Sequence, residues 1–103
     1  MKEYLYRIQP VRTELLVSGP TAEEERAITE HFEYLKSLTE SGIVILAGRT
    51  LNTDESNFGI VVYRAEDDDA ARSIMESDPA VAADVFRAEL FPYSVALMGE
   101  GSA

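Results

Sequence analysis

Six segments that alternate between two hydrophobic periods constrain the fold of this chain more than any other feature of its sequence. Four segments are short and strand-like, whereas two are longer and repeat apolar residues every three to four positions, as amphipathic helices do. The predicted strands cover residues 4–9, 43–47, 58–63 and 85–97, and the predicted helices begin at Thr21 and Asp67. The order along the chain is therefore strand, helix, two strands, helix and strand.

The first helix carries signals at both of its ends. Thr21 and Glu24 have the spacing of a capping box, in which each side chain bonds a backbone N–H of the other residue. Gly42 suits the left-handed position that ends such a helix. The preceding segment, residues 10–20, is predicted to be a loop with some extended structure at residues 15–17.

The order of the segments predicts an α+β fold, the ferredoxin-like β-α-β-β-α-β sandwich. Right-handed crossovers place both helices on one face of an antiparallel sheet and leave the other face open. Residues 43–47 and 58–63 are apolar at both strand parities, so the open face is also apolar, and monomers rarely expose such a face to water. A second copy of the chain is the simplest cover, which predicts a homodimer, a dimeric α+β barrel, and leaves a higher oligomer open. We assign residues 1–98 to this domain and residues 99–103 to a flexible C-terminal tail.

The acidic balance of the chain argues against two classes of partner. The 19 acidic residues outnumber the 9 basic ones, and the formal net charge is −10. Nucleic acids and anionic membranes both bind through Lys and Arg, so we predict neither partner. No apolar run approaches the ~20 residues that span a bilayer, no signal-peptide pattern opens the chain, and cysteine is absent. These features predict a cytoplasmic protein without disulfides or thiolate metal sites.

A series of short motifs gives the chain a family resemblance. They occur in order at residues 4–7 (YLYR), 21–25 (TAEEE), 30–35 (EHFEYL), 45–48 (ILAG), 58–62 (FGIVV) and 78–81 (DPAV). From Met1 to about Tyr93, the chain resembles the YciI-like, or YCII-related, family of small dimeric α+β barrel proteins. The resemblance implies a His/Asp site at His31 and Asp78. Dehydrochlorination of a hydroxylated aromatic is an activity associated with one branch of that family.

His31 is the only histidine, and it lies on the apolar stripe of the first helix. An imidazole is the natural proton carrier near neutral pH. A carboxylate on one ring nitrogen fixes the tautomer and stabilises the imidazolium, and Asp78 can supply it if the second helix ends beside the middle of the first. The alternatives are structural: a hydrogen-bonded core histidine, and an aspartate that caps the turn begun by Pro79.

Motifs for other chemistry are missing from the sequence. No serine has the context of a nucleophile elbow, and no glycine cluster opens a helix as in phosphate-binding or dinucleotide-binding loops. We therefore predict no cofactor and no metal. Together with the lone inward histidine, the family resemblance implies a cofactor-independent enzyme of the lyase, isomerase or dehydrohalogenase type. It would act on a small oxygenated or aromatic substrate, with His31 as general acid or base and Asp78 as its orienter. The alternative is a non-catalytic small-ligand sensor or interaction module that uses the same pocket.

Four further residues are candidates for binding the substrate. Arg7 and Arg49 can bind an anionic group, although ion pairs with the abundant carboxylates are the simpler role. Tyr34 and Phe58 can line a pocket. The simpler role for these two residues is in the core or in a dimer contact, and we predict the same role for Tyr4, Tyr6 and Phe86.

Overall fold

The strands and longer helices follow one another in the predicted order. A computed structural model describes residues 1–99. Its elements are β1 (Lys2–Pro10), α1 (Leu15–Ser18), α2 (Ala22–Glu40), β2 (Val44–Arg49), β3 (Gly59–Ala65), α3 (Asp68–Glu76), α4 (Pro79–Ala82) and β4 (Phe86–Tyr93). The four strands form one sheet in the order β2-β3-β1-β4, and every neighbouring pair is antiparallel. This is the arrangement of a ferredoxin-like sandwich, so the predicted fold class is confirmed.

The alternation of side chains along β1 places the core on one face of the sheet. Tyr4, Tyr6 and Ile8 are buried, and the residues between them are only partly buried. Across the ladder, Tyr6 pairs with Val61 and Tyr4 with Tyr63, and these partners are also buried. Because successive strand residues point to opposite faces, this set forms the floor of the core against the helices.

The helices begin at the predicted caps. The Thr21 side chain accepts the backbone N–H of Glu24, whose own side chain accepts the backbone N–H of Thr21, so the capping box is confirmed. The Asp67 side chain caps α3 by accepting the backbone N–H of Ala70. Gly42 follows α2 with a φ of +84°, the left-handed conformation in which a glycine avoids the strain of a Cβ.

The predicted extended structure at residues 15–17 is wrong, because these residues form the short helix α1. Arg12 explains why the chain coils here. Its guanidinium donates to both carboxylate oxygens of Glu24, at 3.0 and 2.5 Å, and to the backbone oxygen of Gly19 at 3.3 Å. These bonds hold the two ends of the segment close together, and an extended chain would not fit between them. The arginine, together with the backbone N–H of Thr21, lowers the pKa of Glu24 to about 2.

The other face of the sheet is open in the single chain. Leu46 is 48% exposed and Phe91 is 42% exposed, and Phe58 and Tyr93 are exposed to a similar degree. Arg7 also lies on this face, where it pairs with Glu89. The single chain therefore has the open, partly apolar face that the order of the segments predicts.

The C-terminal strand is shorter than predicted, since β4 ends at Tyr93 and not at residue 97. Of the predicted tail, Gly99 is described, and residues 100–103 lie outside the described part of the chain. No helix within residues 1–99 is long and apolar enough to cross a membrane.

Candidate active site

A groove of about 620 Å³ opens between α2 and the end of β2. Its wall is mostly apolar, and a few polar or charged side chains interrupt it. The apolar side chains come from β1, α2, β2, β3 and β4: Ile8, Ile28, Phe32, Leu35, Leu46, Ala47, Ile60, Val61 and Phe86. The polar side chains are His31, Lys36, Thr39, Glu40 and Arg49. An apolar cavity with a few polar groups is the usual anatomy of a small-molecule site.

His31 lies on the wall of this groove and contacts Asp78 behind it. The Nδ1 atom of His31 is 2.8 Å from Oδ1 and 2.7 Å from Oδ2 of Asp78. Because a carboxylate only accepts hydrogen bonds, Nδ1 is the donor, and a neutral ring then carries its lone pair on Nε2. Nε2 has no hydrogen-bond partner within residues 1–99, and the His31 side chain is 13% exposed. The ring is therefore fixed at one nitrogen and available at the other.

Asp78 is fully buried, and it is held by three donors. Besides His31, it accepts the hydroxyl of Tyr6 at 2.7 Å and the backbone N–H of Ala80 at 3.0 Å. The bond to Ala80 makes Asp78 the N-cap of α4, whose first residue is Pro79, so the predicted cap is confirmed. The aspartate thus caps the helix and contacts the histidine at the same time, and the two readings of the sequence do not compete.

The Tyr6 phenol reaches Asp78 from the centre of the sheet. Burial, followed by the negative charge of Asp78 and the hydrogen bond to it, raises the pKa of Tyr6 far above the ordinary value for tyrosine. The hydroxyl therefore remains protonated and remains a donor throughout the pH range in which proteins are stable. This residue was predicted only as a core or dimer-contact aromatic.

The Phe86 ring fixes the other side of the imidazole. Its centroid is 5.3 Å from that of His31, and the two rings are nearly perpendicular, at 80°. This edge-to-face arrangement is the favoured geometry for neighbouring rings. Phe86 was also predicted to be a core or dimer-contact aromatic, and no local sequence signal connects it with the histidine.

The charged side chains of the groove are mainly cationic. Arg49 and Lys36 are exposed, and neither forms an ion pair with another residue of the described range 1–99. Glu40 is the acidic group at the wall. Residues 1–99 contain no cluster of three metal-ligating side chains. Against the overall acidity of the chain, this groove is a local exception that can bind an anionic ligand.

Three of the predicted binding residues lie elsewhere. Arg7 is on the open face of the sheet, on the side opposite to that of the buried residue Tyr6. The hydroxyl of Tyr34 donates to the backbone oxygen of Ile74 at 2.7 Å, so this side chain packs against α3. Phe58 precedes β3 and does not line the groove. Of the six predicted site residues, His31 and Arg49 therefore line the groove, and Asp78 lies directly behind His31.

Comparisons with known proteins agree with this architecture. A family model described as the YCII-related domain matches residues 3–93. The structure is similar to that of TftG, a 5-chloro-2-hydroxyhydroquinone dehydrochlorinase from Burkholderia phenoliruptrix AC1100, solved in complex with 2,5-dihydroxybenzoquinone. The TM-score is 0.62 at 20% identity, over 88% of this chain and 93% of that chain.

A second similar structure is the uncharacterized protein TM1266 from Thermotoga maritima. The TM-score is 0.54 at 16% identity, over 89% of this chain and 95% of that chain. No curated protein is significantly similar to the chain. At these identities the two solved structures show a shared fold and nothing finer.

Proposed function

The chain belongs to the YCII-related domain family, and we propose that it is a cofactor-independent enzyme in which His31 and Asp78 form a general acid–base pair. The family membership confirms the resemblance found in the sequence. The proposal rests on one observation, the double contact of the His31 Nδ1 atom with the buried carboxylate of Asp78.

This contact prepares the ring for proton transfer. With Nδ1 donating to Asp78, Nε2 accepts a proton from a substrate hydroxyl or from an acidic C–H bond. The electron pair left on the substrate expels a leaving group or shifts a double bond. The imidazolium, stabilised by Asp78, then returns the proton to the product or to solvent. No external electron donor or acceptor enters this sequence.

The shape and charge of the groove support a flat, partly apolar substrate with an anionic or acidic oxygen. The apolar wall accommodates a ring, and Arg49 and Lys36 are placed to bind negative charge that develops when the hydroxyl is deprotonated. A dehydrochlorinase of the same fold, solved with a dihydroxybenzoquinone, makes elimination from an oxygenated ring the first reaction class to test.

The cytoplasmic location stays a prediction. We also propose that the chain forms a homodimer through the open face of its sheet. Leu46, Phe58, Phe91 and Tyr93 are exposed large hydrophobic residues on or beside the strands of this face. The Nε atom of Arg7 is buried and has no partner within residues 1–99. A second copy that covers this face would remove the apolar side chains from water.

The test is turnover of hydroxylated aromatic compounds with and without a chlorine substituent, followed by absorbance and by chloride release. We expect His31→Gln to lower the rate at least ~100-fold, since general acid–base groups contribute about 10²–10⁴. Gln still offers an amide N–H to Asp78, so the melting temperature should change little. Glu33→Gln, an exposed change on the same helix, should keep the parent rate.

Two results would contradict the proposal. Turnover by His31→Gln at the parent rate would show that the imidazole takes no part in the chemistry. Saturable binding of these compounds by the parent without any turnover would indicate the sensor function instead.

A further inference from the structure

We infer that Tyr6 is a positioning residue that favours the neutral form of the His31 imidazole by donating its hydroxyl hydrogen bond to the ionised Asp78. The inference rests on the proposed function, because it concerns how readily His31 accepts a proton. It goes beyond that proposal in assigning a role to a third residue, which lies on the central strand β1 and does not line the groove.

The geometry places the phenol and the imidazole on one carboxylate. The Tyr6 hydroxyl is 2.7 Å from Oδ2 of Asp78, the same distance that separates Oδ2 from the Nδ1 atom of His31. Both Tyr6 and Asp78 are fully buried. Water therefore does not compete for this oxygen, and the phenol is the partner that shares it with the imidazole.

Sharing one acceptor makes the two hydrogen bonds depend on each other. When His31 is neutral, the charge of Asp78 is uncompensated and attracts the phenol hydrogen strongly. When His31 is protonated, the imidazolium neutralises much of that charge, and the bond from Tyr6 weakens. The phenol therefore stabilises the state with a neutral imidazole, in which Nε2 can act as a base.

Loss of the hydroxyl should then make His31 accept a proton at higher pH. The groups that face the pair come from several elements and remain unchanged when only Tyr6 is altered. They are Tyr34, Lys36 and Glu40 from α2, Arg49 from β2 and Tyr63 from β3. Phe86 from β4 is uncharged. A change in the titration of the variant is therefore attributable to the missing phenol hydroxyl.

Tyr4 provides a matched control on the same strand. Its hydroxyl donates to Oδ1 of Asp68, also at 2.7 Å, and its side chain is also buried. Tyr4→Phe thus removes the same kind of phenol–carboxylate bond two residues away, from a carboxylate that does not contact His31.

The experiment is an NMR titration of the single histidine, in the parent and in both Phe variants, over roughly pH 5–9 around the usual range of histidine. We expect the midpoint for Tyr6→Phe to lie about half to one pH unit above the parent, from the usual strength of hydrogen bonds to charged groups. Tyr4→Phe should titrate like the parent. A parent-like midpoint for Tyr6→Phe, or an equal rise in Tyr4→Phe, would overturn the inference.

A second substitution keeps the test decisive if Tyr6→Phe fails to fold. Fluorotyrosine introduced at position 6 alone retains the shape and is a stronger donor, so the midpoint should move to lower pH. An unchanged midpoint would contradict the inference. The titration needs no substrate, so it decides the role of Tyr6 even if the chain proves to have no turnover. If turnover is found, the acid limb of the pH profile of kcat/KM should shift to higher pH in Tyr6→Phe, by the same amount as the NMR midpoint.

Discussion

Replacing Asp78 by Ala and by Asn should separate its role as a helix cap from its role as the partner of His31. Alanine removes every acceptor. The loss of the cap costs about 1 kcal/mol, and the buried Tyr6 hydroxyl left without an acceptor costs about 1–3 kcal/mol. The expected destabilisation is therefore about 2–4 kcal/mol, or on the order of 10–30 °C in the melting temperature of a domain of this size.

Asparagine should preserve the fold and move the hydrogen of the neutral His31 ring from Nδ1 to Nε2. Its side-chain oxygen still accepts the N–H of Ala80, because Asn caps helices about as well as Asp. Its amide group then faces the Tyr6 oxygen and His31. The retained oxygen is also 2.8 Å from Nδ1, but it already accepts the N–H of Ala80. We therefore expect the amide that replaces Oδ2 to donate to Nδ1, so that His31 carries its hydrogen on Nε2 and loses the lone pair needed for a base. We expect a destabilisation of about 1 kcal/mol and, from the corresponding change in a serine protease triad, a loss of activity of roughly 10⁴-fold.

Urea unfolding and the ¹⁵N chemical shifts of the single imidazole measure these two effects independently of any substrate. The two variants should differ in the urea concentration at the unfolding midpoint, while the m-value, the slope of the free energy of unfolding against urea, stays similar. Equal destabilisation by Ala and Asn would refute the contribution of the cap. A neutral imidazole that keeps its hydrogen on Nδ1 in Asp78→Asn would refute the argument about orientation.

Three further predictions concern the rest of the fold. Glu24→Gln should lower the melting temperature at neutral pH. The pKa of the Glu24 carboxyl is about 2 in the folded chain, against an ordinary 4.5, so the ionised group stabilises the fold fully above about pH 4.5 and loses this effect as the pH falls toward 2. The difference in melting temperature between parent and variant should therefore vanish in a series of melts at low pH. A pH-independent difference would contradict the assignment to this ionised group. Gly59→Ala should cost about 1–3 kcal/mol in urea unfolding, since a Cβ there lies 3.1 Å from the backbone oxygen of Gly48. Gly48→Ala, which meets no atom within 4 Å, should cost less than about 1 kcal/mol, and equal costs would count against the steric reason. If the proposed dimer forms, Phe91→Glu should convert it to a monomer in light scattering, whereas Val17→Glu, on α1 and 76% exposed, should not. A monomeric parent would reject the proposed dimer.

The sequence was sufficient for the order of the elements because each one carried its own local signal. The capping box at Thr21, the aspartate before Pro79 and the alternation along β1 depend on near neighbours, and all three are present in the structure. The helix α1 lacked such a signal. It depends on bonds from Arg12 to residues 7 and 12 positions away, which override the local preference of an apolar run.

The candidate site was harder to predict because its members meet across long separations in sequence. The histidine and its carboxylate are 47 residues apart, and Tyr6 lies 72 residues from Asp78. Tyr34 shares the helix of His31, yet its hydroxyl donates to a backbone oxygen of α3, a contact that no local signal in the sequence specifies. Periodicity predicted that Tyr6 was buried and gave no information about which group its hydroxyl would meet.

The double duty of Asp78 has a consequence for how the family can diverge. A descendant that lost the proposed chemistry would still be destabilised by loss of this aspartate, since α4 would lose its cap and the buried Tyr6 hydroxyl would lose its acceptor. The imidazole has no comparable structural role, because it lies at the wall of the groove and caps no helix. Drift should therefore erase the histidine before the aspartate. Among relatives of this chain, the residue aligned with His31 should report retained activity more faithfully than the one aligned with Asp78.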